Sequence, residues 1–121
     1  MSNSQAPTIP FTVAVDTSNG VYYFFNKKGQ PSHGGATVTV PNTKLMYSLV
    51  NNSNSLIFLE PQISAKCTDD LKVTISDCKQ VMTIIDSDLT NEDICLRLVV
   101  QSIQSGESFV SPDPKIVNRP D

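Results

Sequence analysis

Phe11-Thr12-Val13-Ala14-Val15-Asp16-Thr17-Ser18-Asn19-Gly20-Val21-Tyr22-Tyr23-Phe24-Phe25 decides the fold class. Phe11, Val13 and Val15 fall on one side of an extended chain, and Thr12, Ala14 and Asp16 fall on the other. That is the period-two pattern of a half-buried strand. Val21 to Phe25 is an aromatic run that suits a second strand. Asn19-Gly20 between two such runs is a strong hairpin signal, because both residue types tolerate positive φ.

The same reading extends along the chain. Ala36 to Val40 alternates and stops at Pro41-Asn42. Leu45 to Val50 and Leu56 to Glu60 are β-like runs on either side of Asn51-Asn52-Ser53-Asn54-Ser55. Leu71 to Ile75 alternates, and Gln80 to Ile85 is the next candidate. Ile94 to Ile103 is the longest apolar segment, with Ile94, Leu96, Leu98 and Val100 on one face. Asn26 to Gly35, rich in Gly and Lys, reads as an exposed loop. Helical periodicity is almost absent; Ser87 to Asp93 allows a single turn. About eight or nine short strands with turns every ten residues or so point to a sandwich or barrel rather than to βαβ units. The expectation is all-β: one antiparallel β-sandwich domain over residues 1–121, immunoglobulin-like or similar.

Composition agrees. The chain has 121 residues, the size of one ordinary domain, and charged residues make up only 17%. At this length a chain buries roughly two-thirds of its unfolded surface, so it folds without disulfides or metals. The nine Lys and Arg are scattered and the net charge is −3, which argues against nucleic acid as a partner. No apolar run approaches a membrane span, and the amino terminus has no secretory pattern, so a cytoplasmic protein is expected.

Cys67, Cys78 and Cys95 are spaced by eleven and seventeen residues, which fits no zinc pattern; all three read as small buried hydrophobes in a reducing compartment. His33, in a loop of turn residues with no partner visible in sequence, reads as a surface histidine. Asp86, Asp88, Glu92 and Asp93 form an acidic stretch with Ser87 and Thr90, but without EF-hand spacing. No metal and no cofactor are expected.

The carboxyl terminus, Ser111-Pro112-Asp113-Pro114-Lys115-Ile116-Val117-Asn118-Arg119-Pro120-Asp121, carries the distinctive chemistry. Three prolines suggest disorder, yet Ile116 and Val117 between them suit a last strand, and an edge strand tolerates Pro at its start. The attachment runs through Asp113-Pro114. An Asp carboxylate can attack its own main-chain carbonyl and form a cyclic anhydride, expelling the tertiary proline nitrogen. A fold that fixes this geometry, with a proton donor nearby, would accelerate that reaction. By itself the dipeptide reads as an ordinary turn, since Asp-Pro occurs by chance in many proteins.

Glu60-Pro61, at the end of Leu56-Ile57-Phe58-Leu59, adds a second such dipeptide. With Asp113-Pro114 near the chain end, the sequence resembles the DP-EP family, a small bacterial group named for the two. The resemblance implies a β-sandwich that cleaves itself at the Asp-Pro bond, an aspartic-type autoproteolysis, with the released tail retained. It also implies self-assembly and a Lys-to-Asp covalent link. Carried over by position, Asp113 would supply the carboxylate and the scissile carbonyl, Pro114 the leaving nitrogen, and Glu60 a nearby acid or base. Glu60 at the end of a buried strand would suit proton transfer, or it is simply a solvated strand-end charge. The strand Ile94 to Ile103 holds Arg97 and no lysine; a guanidinium pairs with Asp113 but does not acylate. Two functional readings follow. One is a single-turnover endopeptidase acting on its own chain, with tail 114–121 exchanged between copies into a homo-oligomer. The other is a non-catalytic β-sandwich that binds a partner or serves a structural role.

Overall fold

The structure, a computed structural model, describes residues 7–50, 55–64, 71–87, 92–112 and 114–119, with the main chain alone at 92. Strand β1 (Thr8–Asp16) folds back onto β2 (Val21–Phe25), with Asp16 opposite Val21. The Asp16 carbonyl accepts the Gly20 N–H at 2.7 Å and the Asn19 N–H at 3.3 Å. Gly20 takes φ of 75° and Asn19 does not turn positive, so the left-handed position falls on the residue without a Cβ. The Asp16 carboxylate accepts the Ser18 N–H at 3.0 Å and its hydroxyl at 2.6 Å. These bonds, the hydroxyl's first, hold the Asp16 carboxyl below the usual carboxylate range.

The hairpin nucleates a six-stranded sheet. β3 (Pro31–Ser32) covers β2, while β5 (Thr43–Leu49), β8 (Val81–Asp86) and β7 (Leu71–Ile75) extend the other side, in the order β3-β2-β1-β5-β8-β7. The second sheet is built around β9 (Glu92–Ser102). β6 (Leu56–Ser64) lies on one side of it. On the other side come β10 (Ser108–Val110), then β11 (Lys115–Asn118), with β4 (Ala36–Val38) beyond β11. No helix occurs among the described residues, so none there is long and apolar enough to cross a membrane.

The two sheets share one core. Ile94, Leu96, Leu98 and Val100 are fully buried, as the period-two reading requires, and join Val13, Leu45, Tyr47, Met82 and Ile84 of the facing sheet. Tyr22 ties the sheets at one side: its hydroxyl donates to the Phe109 carbonyl at 2.6 Å. The all-β sandwich is as expected.

Several details differ. The sandwich is mixed, because β1 runs parallel to β5 and β4 runs parallel to β11. Periodicity assigns faces and carries no information on direction. The tail docks as a strand, as expected, but inside the sheet: β11 pairs antiparallel with β9 and parallel with β4, so it is no edge. The strand expected to end at Glu60 continues through Pro61 to Ser64, and the loop 26–35 contains β3. The single helical turn allowed at 87–93 falls mostly on residues 88–91, which lie outside the described residues; Glu92 and Asp93 open β9. Asn51 to Asn54, Asp88 and Thr90 lie outside the described residues, as do Cys67 and Asp113.

Candidate functional site

The middle of β9, Leu96-Arg97-Leu98, is flanked by Glu60-Pro61 on one side and by Ser111 and Pro114 on the other. On the tail side, Ser111 takes both main-chain groups of Leu98. Its N–H donates to the Leu98 carbonyl at 2.9 Å, and its hydroxyl oxygen accepts the Leu98 N–H at 2.8 Å. One turn of the pleat further along, the Pro114 carbonyl accepts the Leu96 N–H at 2.9 Å. Ser111 and Pro114 are buried and Pro112 is exposed. The ladder slips by one residue here, since Val110 stands opposite Val99 while Lys115 stands opposite Cys95. An antiparallel pair normally exchanges two bonds at such a position, and Pro114 has no N–H to return. Its tertiary nitrogen therefore sits in the ladder without a hydrogen-bonding duty. Both flanks of position 113 are anchored; Asp113 itself lies outside the described residues.

Glu60-Pro61 occupies the opposite side of β9. Leu59 pairs with Val99 and Gln62 with Arg97, so the dipeptide forms an irregularity against Leu98. Among the described residues β6 pairs with β9 alone, and a bulge on such a strand accommodates a proline without breaking a central ladder. Glu60 is exposed there rather than held at a buried strand end, because the bulge turns it outward. β9 separates it from Pro114 by two strand spacings, about 10 Å. Glu60-Pro61 and Pro114 thus flank the same stretch of β9 on opposite sides, and Glu60 and Pro114 are not direct neighbours. Arg97 lies between them on the outer face, exposed, opposite in direction to Leu96 and Leu98.

The outer face of the tail strand is charged. Asp93 accepts from Arg119 at 3.0 Å and lies 3.9 Å from the Lys115 ammonium. All three groups are about half exposed, so each pair contributes at most about 1 kcal/mol. Asp93 is thereby engaged with the tail, while Asp86 is buried in the other sheet, so these two do not form the acidic group that their sequence proximity suggested.

Two cysteines differ from expectation. Cys95 is exposed: with Ile94 and Leu96 inward, the pleat sends it outward beside Arg97. Cys78 is exposed in the β7–β8 turn, where bonds to the Ser76 hydroxyl and the Gln80 main chain draw its thiol pKa down. His33 is on the surface, as expected.

Sequence reasoning missed the loop that abuts the tail. Gly34 takes φ of 78° with the Phe24 ring against it, and its carbonyl accepts the Tyr47 hydroxyl at 2.5 Å. Burial pushes the Tyr47 pKa far up, so the hydroxyl remains a donor. At Gly35 any Cβ would collide with the Lys115 carbonyl oxygen. The adjacent Gly34-Gly35 pair was the available signal.

Among solved structures, the chain resembles the crystal structure of an inclusion body protein, PixA, from Burkholderia cenocepacia. The TM-score is 0.59 at 9% identity, with 97% of this chain and 98% of that one covered. At that identity the likeness concerns the fold. No curated protein matches the sequence. The DP-EP family profile matches residues 7–120, which takes in both dipeptides and every described strand, and the chain belongs to the DP-EP family.

Proposed function

We propose that this protein is a structural module that assembles with copies of itself. The observation that supports it most is the end-to-end fold likeness to an inclusion body protein, with nearly the whole of both chains superposed. The interior tail strand supplies a route. A strand flanked on both sides offers two ladders of main-chain bonds to whichever copy's tail fills the slot. Exchange of tail 114–121 between copies would make closed or open assemblies. We place the protein in the cytoplasm, in keeping with the free thiols of Cys78 and Cys95. Sedimentation velocity of the full chain over a wide concentration range tests the reading: larger species should grow with concentration. A strictly monomeric protein at every concentration would refute it.

A second reading is favoured by the anchored flanks of position 113: single-turnover self-cleavage between Asp113 and Pro114, as family membership suggests. Ser111 and Pro114 are fixed to Leu98 and Leu96, which restricts the segment in the way an intramolecular attack requires. Asp113 supplies the carboxylate and the carbonyl, and Pro114 the leaving nitrogen. Arg97 attracts the carboxylate without acylating, so no Lys-to-Asp link is expected at that position. Glu60 would act across β9 through water. Intact-mass spectrometry of fresh protein should show fragments of 113 and eight residues, and Asp113→Asn should abolish them. Full mass retained over weeks at mildly acidic and neutral pH refutes self-cleavage while leaving the structural role standing.

A further inference from the structure

We infer that the outer edge of β7 pairs with β7 of a second copy, antiparallel about Val73, so that the six-stranded sheet of one molecule runs on into that of the next. This inference rests on the assembly reading and gives it a contact separate from the tail slot. β7 is the last strand of its sheet and pairs with β8 alone among the described residues. The ladder shows which of its main-chain groups face outward. The Ser76 N–H donates to the Val81 carbonyl at 2.9 Å, so Thr74–Thr83 and Lys72–Ile85, at steps of two from it, are the hydrogen-bonded pairs. Leu71, Val73 and Ile75 therefore turn their N–H and C=O groups away from β8. The other side of β8 agrees: the Leu49 N–H donates to the Gln80 carbonyl, which gives Met82 and Ile84 to β5 and leaves Val81, Thr83 and Ile85 for β7.

This edge lacks the devices that keep sheet edges apart. Among the described strands paired on one side, β3 has two residues, β4 and β10 have three, and β6 is broken by the irregularity at Glu60-Pro61. β7 has five residues with no Pro, Gly or bulge. Leu71, Val73 and Ile75 lie half-buried against the core, and Lys72 and Thr74 are exposed on the outer face.

The strand is also complementary to itself. With a two-fold axis at Val73, Val73 meets Val73 of the copy and Leu71 meets its Ile75. These are the residues whose main-chain groups point outward, so each pair exchanges both bonds. Their half-buried side chains meet across the seam and continue the apolar face. On the outer face Lys72 stands opposite Thr74 of the copy. An axis at Lys72 would set two ammonium groups opposite each other, and an axis at Thr74 would set Leu71 against Asp77 in the turn. A five-residue ladder is small beside the roughly 1,200 Å² of a stable interface, so the pairing is weak and grows with concentration.

Full-length wild type, Thr74→Lys, the double variant Lys72→Glu with Thr74→Lys, and Val73→Pro are compared by sedimentation velocity up to the highest soluble concentration, with a melting temperature for each. Thr74→Lys sets like charges opposite each other on both sides of the axis and should weaken association about tenfold. Adding Lys72→Glu turns both pairs into opposite charges and should restore association at least to the wild-type level. Val73→Pro removes an outward N–H and no bond to β8, and should abolish the contact. If it melts far below wild type, the two variants on the exposed face decide alone. Unchanged association in Thr74→Lys overturns edge pairing and leaves assembly through the tail standing. Weakening that Lys72→Glu fails to reverse also overturns it, because the added lysine would then act without facing Lys72 of a copy. A wild type that stays monomeric throughout sinks the assembly reading, and this inference with it.

Discussion

Ile116→Ala tests whether the tail is part of the core. Ile116 is 0% exposed and sits on β11 between β9 and β4, packed in the same cluster as Leu96 and Leu98. Truncating a buried Ile costs about 2–5 kcal/mol, with the larger values where neighbours do not close the cavity. Here they are held on both sides by ladder bonds, so about 3 kcal/mol is a reasonable centre. For 121 residues the unfolding entropy near the midpoint is about 0.25 kcal/mol/K, scaling from about 2.1 cal/mol/K per residue. The melting temperature should therefore fall by about 12 °C in a thermal scan followed by circular dichroism. Val117→Ala is the control. Its side chain is half-buried on the other face, and the loss should stay under about 4 °C. If Ile116→Ala falls by less than about 3 °C, or by no more than Val117→Ala, the tail does not hold the sheets together.

Three other outcomes are expected. Tyr47→Phe removes the donor to the buried Gly34 carbonyl and should cost about 1–3 kcal/mol in urea unfolding; an unchanged midpoint would show that the bond is dispensable. Gly35→Ala forces a methyl group onto the Lys115 carbonyl and should cost about 1–3 kcal/mol, whereas a neutral result would mean that β4 and β11 separate freely. Asp16 has a depressed folded pKa, so its contribution is present above the ordinary value of 3.8 and lost as pH falls below it through the folded value. The difference in melting temperature between wild type and Asp16→Asn should shrink between about pH 6 and pH 2.5, and a difference that holds or grows would contradict the assignment.

What the sequence made legible was the set of faces. Phe11, Val13, Leu45, Tyr47, Met82, Ile84 and the inward side of β9 are all buried, because side chains alternate strictly along a strand. Even the tail obeyed: Ile116 points inward and Val117 does not. Neighbours and directions were not legible. Ala36-Thr37-Val38 reads as a strand, but nothing in three residues says that it will lie parallel to a segment near the opposite end of the chain. Cys95 was misread although the pattern around it already assigned it outward; its apolar neighbours masked the alternation. Pro61 read as a stop, whereas a bulge on a strand paired on one side absorbs a proline. At the site, Asp113-Pro114 and Glu60-Pro61 were visible as dipeptides. That Glu60-Pro61 and Pro114 stand against Leu96 to Leu98 depends on long-range pairing, which no local pattern encodes.

The interior position of β11 also decides how the proposed tail exchange would have to proceed. An edge strand could peel away and leave an open template. Here β4 covers the tail, and the Arg119 N–H bonds to the Val38 carbonyl while Leu96 bonds to the Pro114 carbonyl. Cutting one peptide bond changes none of these contacts, so a severed tail stays in place. Release requires β4 to detach first and Ile116 to leave the core, which makes opening of β4 the slow step. It follows that exchange should depend on the β4–β11 contact more than on cleavage. Gly35→Ala, which strains that contact, should speed the appearance of dimers by sedimentation after brief exposure to mild urea. Asp113→Asn, which leaves the contact alone, should assemble at the wild-type rate. If Asp113→Asn is slow and Gly35→Ala is not fast, cleavage rather than strand opening controls assembly, and the interior slot is not the gate.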